Sequence, residues 1–238
     1  MSLFRNIVFV AALAGLVAGI GMTGMQYAST VPLILKAETF ENAAGGEGPA
    51  TAAHQHAEAT AAHSHDEADG WAPEDGFERS AYTALANVAT AIGFALLLVV
   101  ASEFAGGMTG WRQGMFWGLA GFAVFTLAPG LGLPPELPGM PAADVATRQV
   151  WWILAALATA AGLSLIVFRR SVAWAVLGVA LIVAPHIVGA PQPESHETAV
   201  PHGLLHSFVV AVVASSLVFW VLLGGVAGYL RSRFMRVA

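Results

Sequence analysis

The chain contains no cysteine. That absence removes disulfides, thiolate metal sites and cysteine nucleophiles together. Lysine is almost missing too: Lys36 stands alone and Ala37 follows it, so no Walker A phosphate loop exists. Any direct ATP drive would therefore have to come from another subunit. Charged residues make up only 11% of the chain, and no basic patch suits nucleic acid, which is not an expected partner. The short alternating segments of a membrane β-barrel are absent as well.

Long apolar runs fill the space. Six stretches, roughly 4–27, 81–104, 111–128, 150–168, 172–187 and 208–230, read as membrane spans. A helix needs about 20 apolar residues to cross a hydrocarbon core of about 30 Å, and most of these runs have that length. Helices satisfy their own backbone groups in lipid, so the expected class is an all-α, polytopic helical membrane bundle forming a single domain. The fifth run is shorter and ends at Pro185-His186, which predicts an irregular outer end or one set in a cavity. The first, with Arg5 and a long apolar run, reads as an uncleaved helix rather than a signal peptide.

Charge sorts by alternate loops. Arg5, Arg112, Arg169, Arg170, Arg231, Arg233 and Arg236 fall on one side, with Glu103 as its only acid. Lys36, Arg79, Arg148, the other acids and every histidine fall on the other. Basic residues favour the cytoplasmic face, so both termini should lie on the cytoplasmic side and the histidine loops outside.

The 36–80 loop has a middle rich in Ala, Gly, Glu and His, which cannot bury enough surface to offset its ordering entropy, so a flexible loop is expected. Its flanks, Pro32-Leu33-Ile34-Leu35 and Trp71-Ala72-Pro73, suit the lipid headgroup level. Residues 129–149 are so dense in proline and glycine that regular helix is not expected there; they read as an extended cap on the bundle. Gly15/Gly19, Gly114/Gly118 and Gly224/Gly228 have the four-residue spacing that lets helices approach closely.

Imidazole and carboxylate on one face point to metal cations. His54, His56, His63 and His65 sit in the flexible loop, where they could wrap a divalent ion; a solvated linker is the alternative. His202 and His206, four apart at a helix start, face the same way, which is ligand spacing. His186 follows a proline at the end of an apolar helix, where a polar group needs a partner or water. With Glu136 from the proline-rich segment, these three form the expected shared site, because a link of roughly a dozen residues joins their helices. Glu38 and Glu41 share a face if the first helix continues past Lys36. Met22 and Met25 read as packing, and Arg148 with Trp151 and Trp152 as an interfacial anchor.

Several motifs are longer and rarer than these patterns: Ala37-Glu38-x-x-Glu41, Trp71-x-Pro73-x-Asp75-Gly76-x-Glu78-Arg79, Pro134-Pro135-Glu136-x-Pro138-Gly139, Arg148-Gln149-x-Trp151-Trp152 and Ala184-Pro185-His186-x-x-Gly189-Ala190-Pro191. With them the chain resembles the CbtA family, membrane proteins described as probable cobalt transporter subunits. The resemblance runs from the first helix to the last. It implies uptake of Co²⁺ linked to cobalamin supply, and a small single-span, His-bearing CbtB-like partner. The expected function is thus a permease subunit rather than an enzyme, with no resident cofactor and a divalent metal as cargo. A membrane metalloenzyme or a metal-sensing subunit would use the same histidines, but no dense HxxxH or HExxH set is present.

Overall fold

The fold is taken from a computed structural model, which describes residues 2–45 and 76–235. Among them every regular element is a helix: α1 (Ser2–Ser29), α2 (Val31–Gly45), α3 (Phe77–Glu103), α4 (Trp111–Phe122), a π-helical turn (Ala123–Leu127), α5 (Ala128–Gly132), α6 (Val145–Arg169), α7 (Val172–Val188) and α8 (His202–Phe234). Leu3–Ser29, Phe77–Glu103, Trp111–Gly132, Val145–Arg169 and His202–Phe234 are long and apolar enough to cross a membrane, and Val172–Val188 is a shorter apolar helix. The protein is a polytopic helical membrane bundle of about six helices. Outward faces carry Leu16, Ile20, Leu97, Leu157 and Val176, all exposed. These are the surfaces hydrocarbon would cover.

α1 packs along α3, α4 along α8, and α1 also lies on α8, which joins the two pairs into a four-helix group. Small residues set these contacts. Ala11, Ala14 and Ala18 of α1 and Ala91 and Ala95 of α3 are fully buried, and Gly15 and Gly19 lie against Ile92 and Val88. α6 and α7 form a third pair, turned at Arg170 in a left-handed conformation (φ 41°) and crossed where Gly162 meets Gly178. This hairpin reaches the rest of the bundle mainly through α5 and the π turn.

Three expectations change. The third span continues to Gly132 through Pro129. A proline ring inside a helix collides with the carbonyl four residues back, here Phe125, and that residue sits in the wider π turn, which leaves room for it. At the other end of the proline-rich stretch, Asp144 accepts a 2.9 Å bond from Thr147 N and caps α6 from Val145 onward. Helix therefore trims the irregular part at both ends. α7 likewise runs on through Pro185 to Val188 instead of fraying.

The third change concerns the 36–80 loop. Its first part is α2, with Pro32 in the opening turn where the missing N–H costs nothing. Leu33, Ile34, Ala37 and Phe40 make one apolar face that packs on Leu137, Met140, Val200, Leu204 and Phe208. A second small core thus binds the start of α8 and part of the proline-rich segment to α2, and that burial holds residues 31–45 helical. The segment does cap this end of the bundle, resting on α2 and α8.

Candidate functional site

The side that carries the histidines is braced by two ion pairs. Arg79 of α3 donates to Glu38 Oε1 of α2 at 2.9 Å, and Arg148 of α6 meets Glu136 Oε2 at 2.9 Å. All four side chains keep partial exposure, so each pair contributes modestly to stability. Two of the three carboxylates that the sequence offers as metal oxygens, Glu38 and Glu136, are thus matched to arginines. Arg148 is a partner of Glu136 and not simply an interfacial anchor. Glu41, exposed on the same helix as Glu38, turns instead toward Gly139. The two acids do sit three apart on one helix, although it is α2 and not a continuation of α1, and they serve different neighbours.

The histidines do not converge. His186 is half-buried on α7, edge-on to Trp151 with ring centroids 5.7 Å apart, and the Trp151 indole donates to Pro185 O at 3.3 Å. His202 and His206 are exposed on the first turns of α8. Among the described residues no group of three or more His, Asp or Glu is arranged to hold a metal. The expected shared site of His186, His202, His206 and Glu136 is therefore not assembled in this structure. The reason is topological: α7 packs on α6 rather than along α8, while the start of α8 is covered by α2. A dozen extended residues span about 40 Å, so the link does not force its two helices together. His54, His56, His63 and His65 lie outside the described residues.

The opposite side holds the best-formed polar constellation. Arg231 of α8 is only 6% exposed. Its Nε donates to Glu103 Oε1 at 2.5 Å and its Nη2 to Glu103 Oε2 at 2.9 Å, the paired geometry in which a guanidinium binds a carboxylate best. Nη1 donates to Met108 O at 2.8 Å. Gly107, at φ 75°, leaves the space the guanidinium fills, since a Cβ there would fall 1.7 Å from Nη2. This cluster ties α3, the 104–110 turn and α8 together. Arg231 counts in the sequence only as one of several basic residues; Glu103, the lone acid on its side, was the signal that could have revealed it.

The family comparison agrees with the motifs. The model of the family described as "Probable cobalt transporter subunit (CbtA)" matches residues 4–232. The chain belongs to the CbtA family. No curated protein and no solved structure gives a significant match. As a CbtA chain the protein is a transporter subunit of the membrane, and the word subunit implies a partner. Met22 and Met25 fit that framework as packing: both lie against the main core, as their place in an apolar helix suggests.

Proposed function

We propose that this CbtA chain is the permease subunit through which Co²⁺ enters the cell across the inner membrane, serving cobalamin supply alongside a small, single-span, His-bearing CbtB-like subunit. The observation that carries this reading is the family match over residues 4–232. The asymmetry of the chain supports it, since one side holds all the histidines and all but one of the acids. The membrane potential favours the step by about 2.3 kcal/mol per charge per 100 mV, hence about 4.6 for a dication. The test is Co²⁺ entry into liposomes holding this chain, with and without the small partner. Entry above protein-free liposomes is the expected result; none under either condition, with binding intact, would favour a sensing subunit.

The histidines then divide the work. His54, His56, His63 and His65 gather the ion, His202 and His206 offer a pair of imidazoles one helical turn apart, and His186 stands separately beside Trp151. Glu38, Glu41 and Glu136 supply negative potential at the mouth. Replacing the four loop histidines with alanine should raise the Co²⁺ concentration needed for half-maximal uptake while leaving the saturated rate close to wild type. Loss of the saturated rate would put the loop inside the translocation site.

Orientation follows from the basic residues, seven on one side and three on the other. Both termini are taken to be cytoplasmic. Reporter fusions at Arg170 and after Ala238 should both give cytoplasmic signals, and an external signal at either would reverse the orientation.

A further inference from the structure

The α1–α3 seam carries a polar cluster within the membrane-spanning length that nothing above uses. Asn87 Nδ2 donates to Thr23 Oγ1 at 3.0 Å and to Gln26 Oε1 at 2.7 Å, and Thr23 Oγ1 donates to Gly19 O at 2.9 Å. All three side chains are half-buried. Among the described residues Asn87 Oδ1 has no hydrogen-bond partner and is not fully buried, so this amide oxygen stays available beside the cluster.

Its surroundings are graded. Arg79, Thr83 and Asn87 recur every four residues on one face of α3, so this face runs from the Glu38–Arg79 pair at the mouth about 12 Å down to the cluster. Immediately beyond it the seam is shut: a Cβ on Gly19 would lie 2.6 Å from Val88 Cα, and one on Gly15 would lie 2.5 Å from Ile92 Cα. Ala18, Ala91 and Ala95 continue the dry contact. The polar face therefore ends at Asn87, at a closed helix contact.

We propose that Thr23, Gln26 and Asn87 form an intramembrane oxygen site where a partly hydrated divalent cation rests before the α1–α3 seam opens. The proposal rests on the transport reading given above. A rotation of the Asn87 amide turns Oδ1 toward Gln26 Oε1 and Thr23 Oγ1, presenting neutral oxygens in place of the internal hydrogen bonds. Neutral oxygens suit this role because a passage site must hold its ion weakly enough to release it. A cage of imidazole or carboxylate at this depth would trap it. If the three residues only glue α1 to α3, as interhelical amides do elsewhere, charge placed at Asn87 will not recruit metal.

The test uses the full chain with His54, His56, His63 and His65 changed to alanine, so that loop capture does not mask the site, and CoCl₂ as the probe. Asn87→Asp keeps the side-chain size and adds a charge at the same atoms; it should tighten one Co²⁺ site in the detergent-purified protein by about tenfold or more, as added ligand charge does. Asn87→Leu should lower maximal Co²⁺ entry into liposomes by about tenfold, with thermal stability near that of its parent. Unchanged Co²⁺ affinity in Asn87→Asp, or undiminished entry with Asn87→Leu, would overturn the site. Should Asn87→Leu fail to fold, the binding result with Asn87→Asp decides alone. Tight binding by Asn87→Asp with no Co²⁺ entry in the parent would leave the site standing and sink the transport reading instead.

Discussion

Replacing Arg231 with alanine is expected to destabilise the bundle by about 3–5 kcal/mol, the usual result of removing one partner from a buried ion pair. Three bonds vanish together, two to Glu103 and one to Met108 O. Glu103, itself only one-quarter exposed, is left with its charge uncompensated. The space beside Gly107 that the guanidinium occupies is emptied as well. Arg231→Lys should recover only part of the loss, because an ammonium cannot bind both carboxylate oxygens in a fork while also reaching Met108 O. Pairing Arg231→Met with Glu103→Gln should cost less than Arg231→Ala, since no charge is then stranded. Thermal unfolding of the detergent-purified protein is the measurement. A melting temperature for Arg231→Ala within a degree or so of wild type would mean that the cluster does not hold this end of the bundle.

Gly114→Leu should be as damaging, through sterics rather than charge. A Cβ at Gly114 would lie 2.1 Å from Gly224 O, and one at Gly224 would lie 2.3 Å from Gly114 O. The two backbones touch at these glycines, and no rotamer of a larger residue avoids the clash because the obstacle is main chain. Overpacking costs about 1–3 kcal/mol where side chains can give way, and more is expected here. Separation of α4 from α8 would also disturb the stacked Phe125–Trp220 pair, whose ring centroids are 5.6 Å apart, and the Trp220–Thr126 hydrogen bond. Gly93 makes the control. Open space surrounds its Cβ position, so Gly93→Ala should leave assembly intact. Recovery of folded, monodisperse protein after membrane extraction separates the two variants; equal recovery would show that the α4–α8 contact tolerates separation.

Much of this architecture follows from composition and order alone. Apolar runs of span length leave a helical bundle as the viable class in lipid, because only a helix pairs its own backbone there. The glycine pairs marked helix contacts in advance, and Gly114/Gly118 proved to meet Gly224/Gly228. The proline-rich segment was recognisable as a cap, and the long motifs identified the family, since both depend on residues close together in the chain.

Which elements face which is a different kind of fact. Helix formation within 31–45 depends on a second core assembled from Leu137, Val200 and Phe208, each more than ninety positions away, so local composition read its part from residue 36 onward as the start of a loop. The pairing of Glu38 with Arg79 and of Glu136 with Arg148 likewise joins residues on separate elements. His186 and the His202/His206 pair are near in sequence yet do not share a site, because α7 buries its small-residue face on α6 while α2 takes the start of α8. Glu103 and Arg231 show the converse, since a separation of 128 positions ends in a buried two-point contact. Sequence sets what each helix can bury, through the period of its apolar and small residues. Only tertiary packing selects the partner, because several faces of similar apolarity compete and the tightest backbone approach wins.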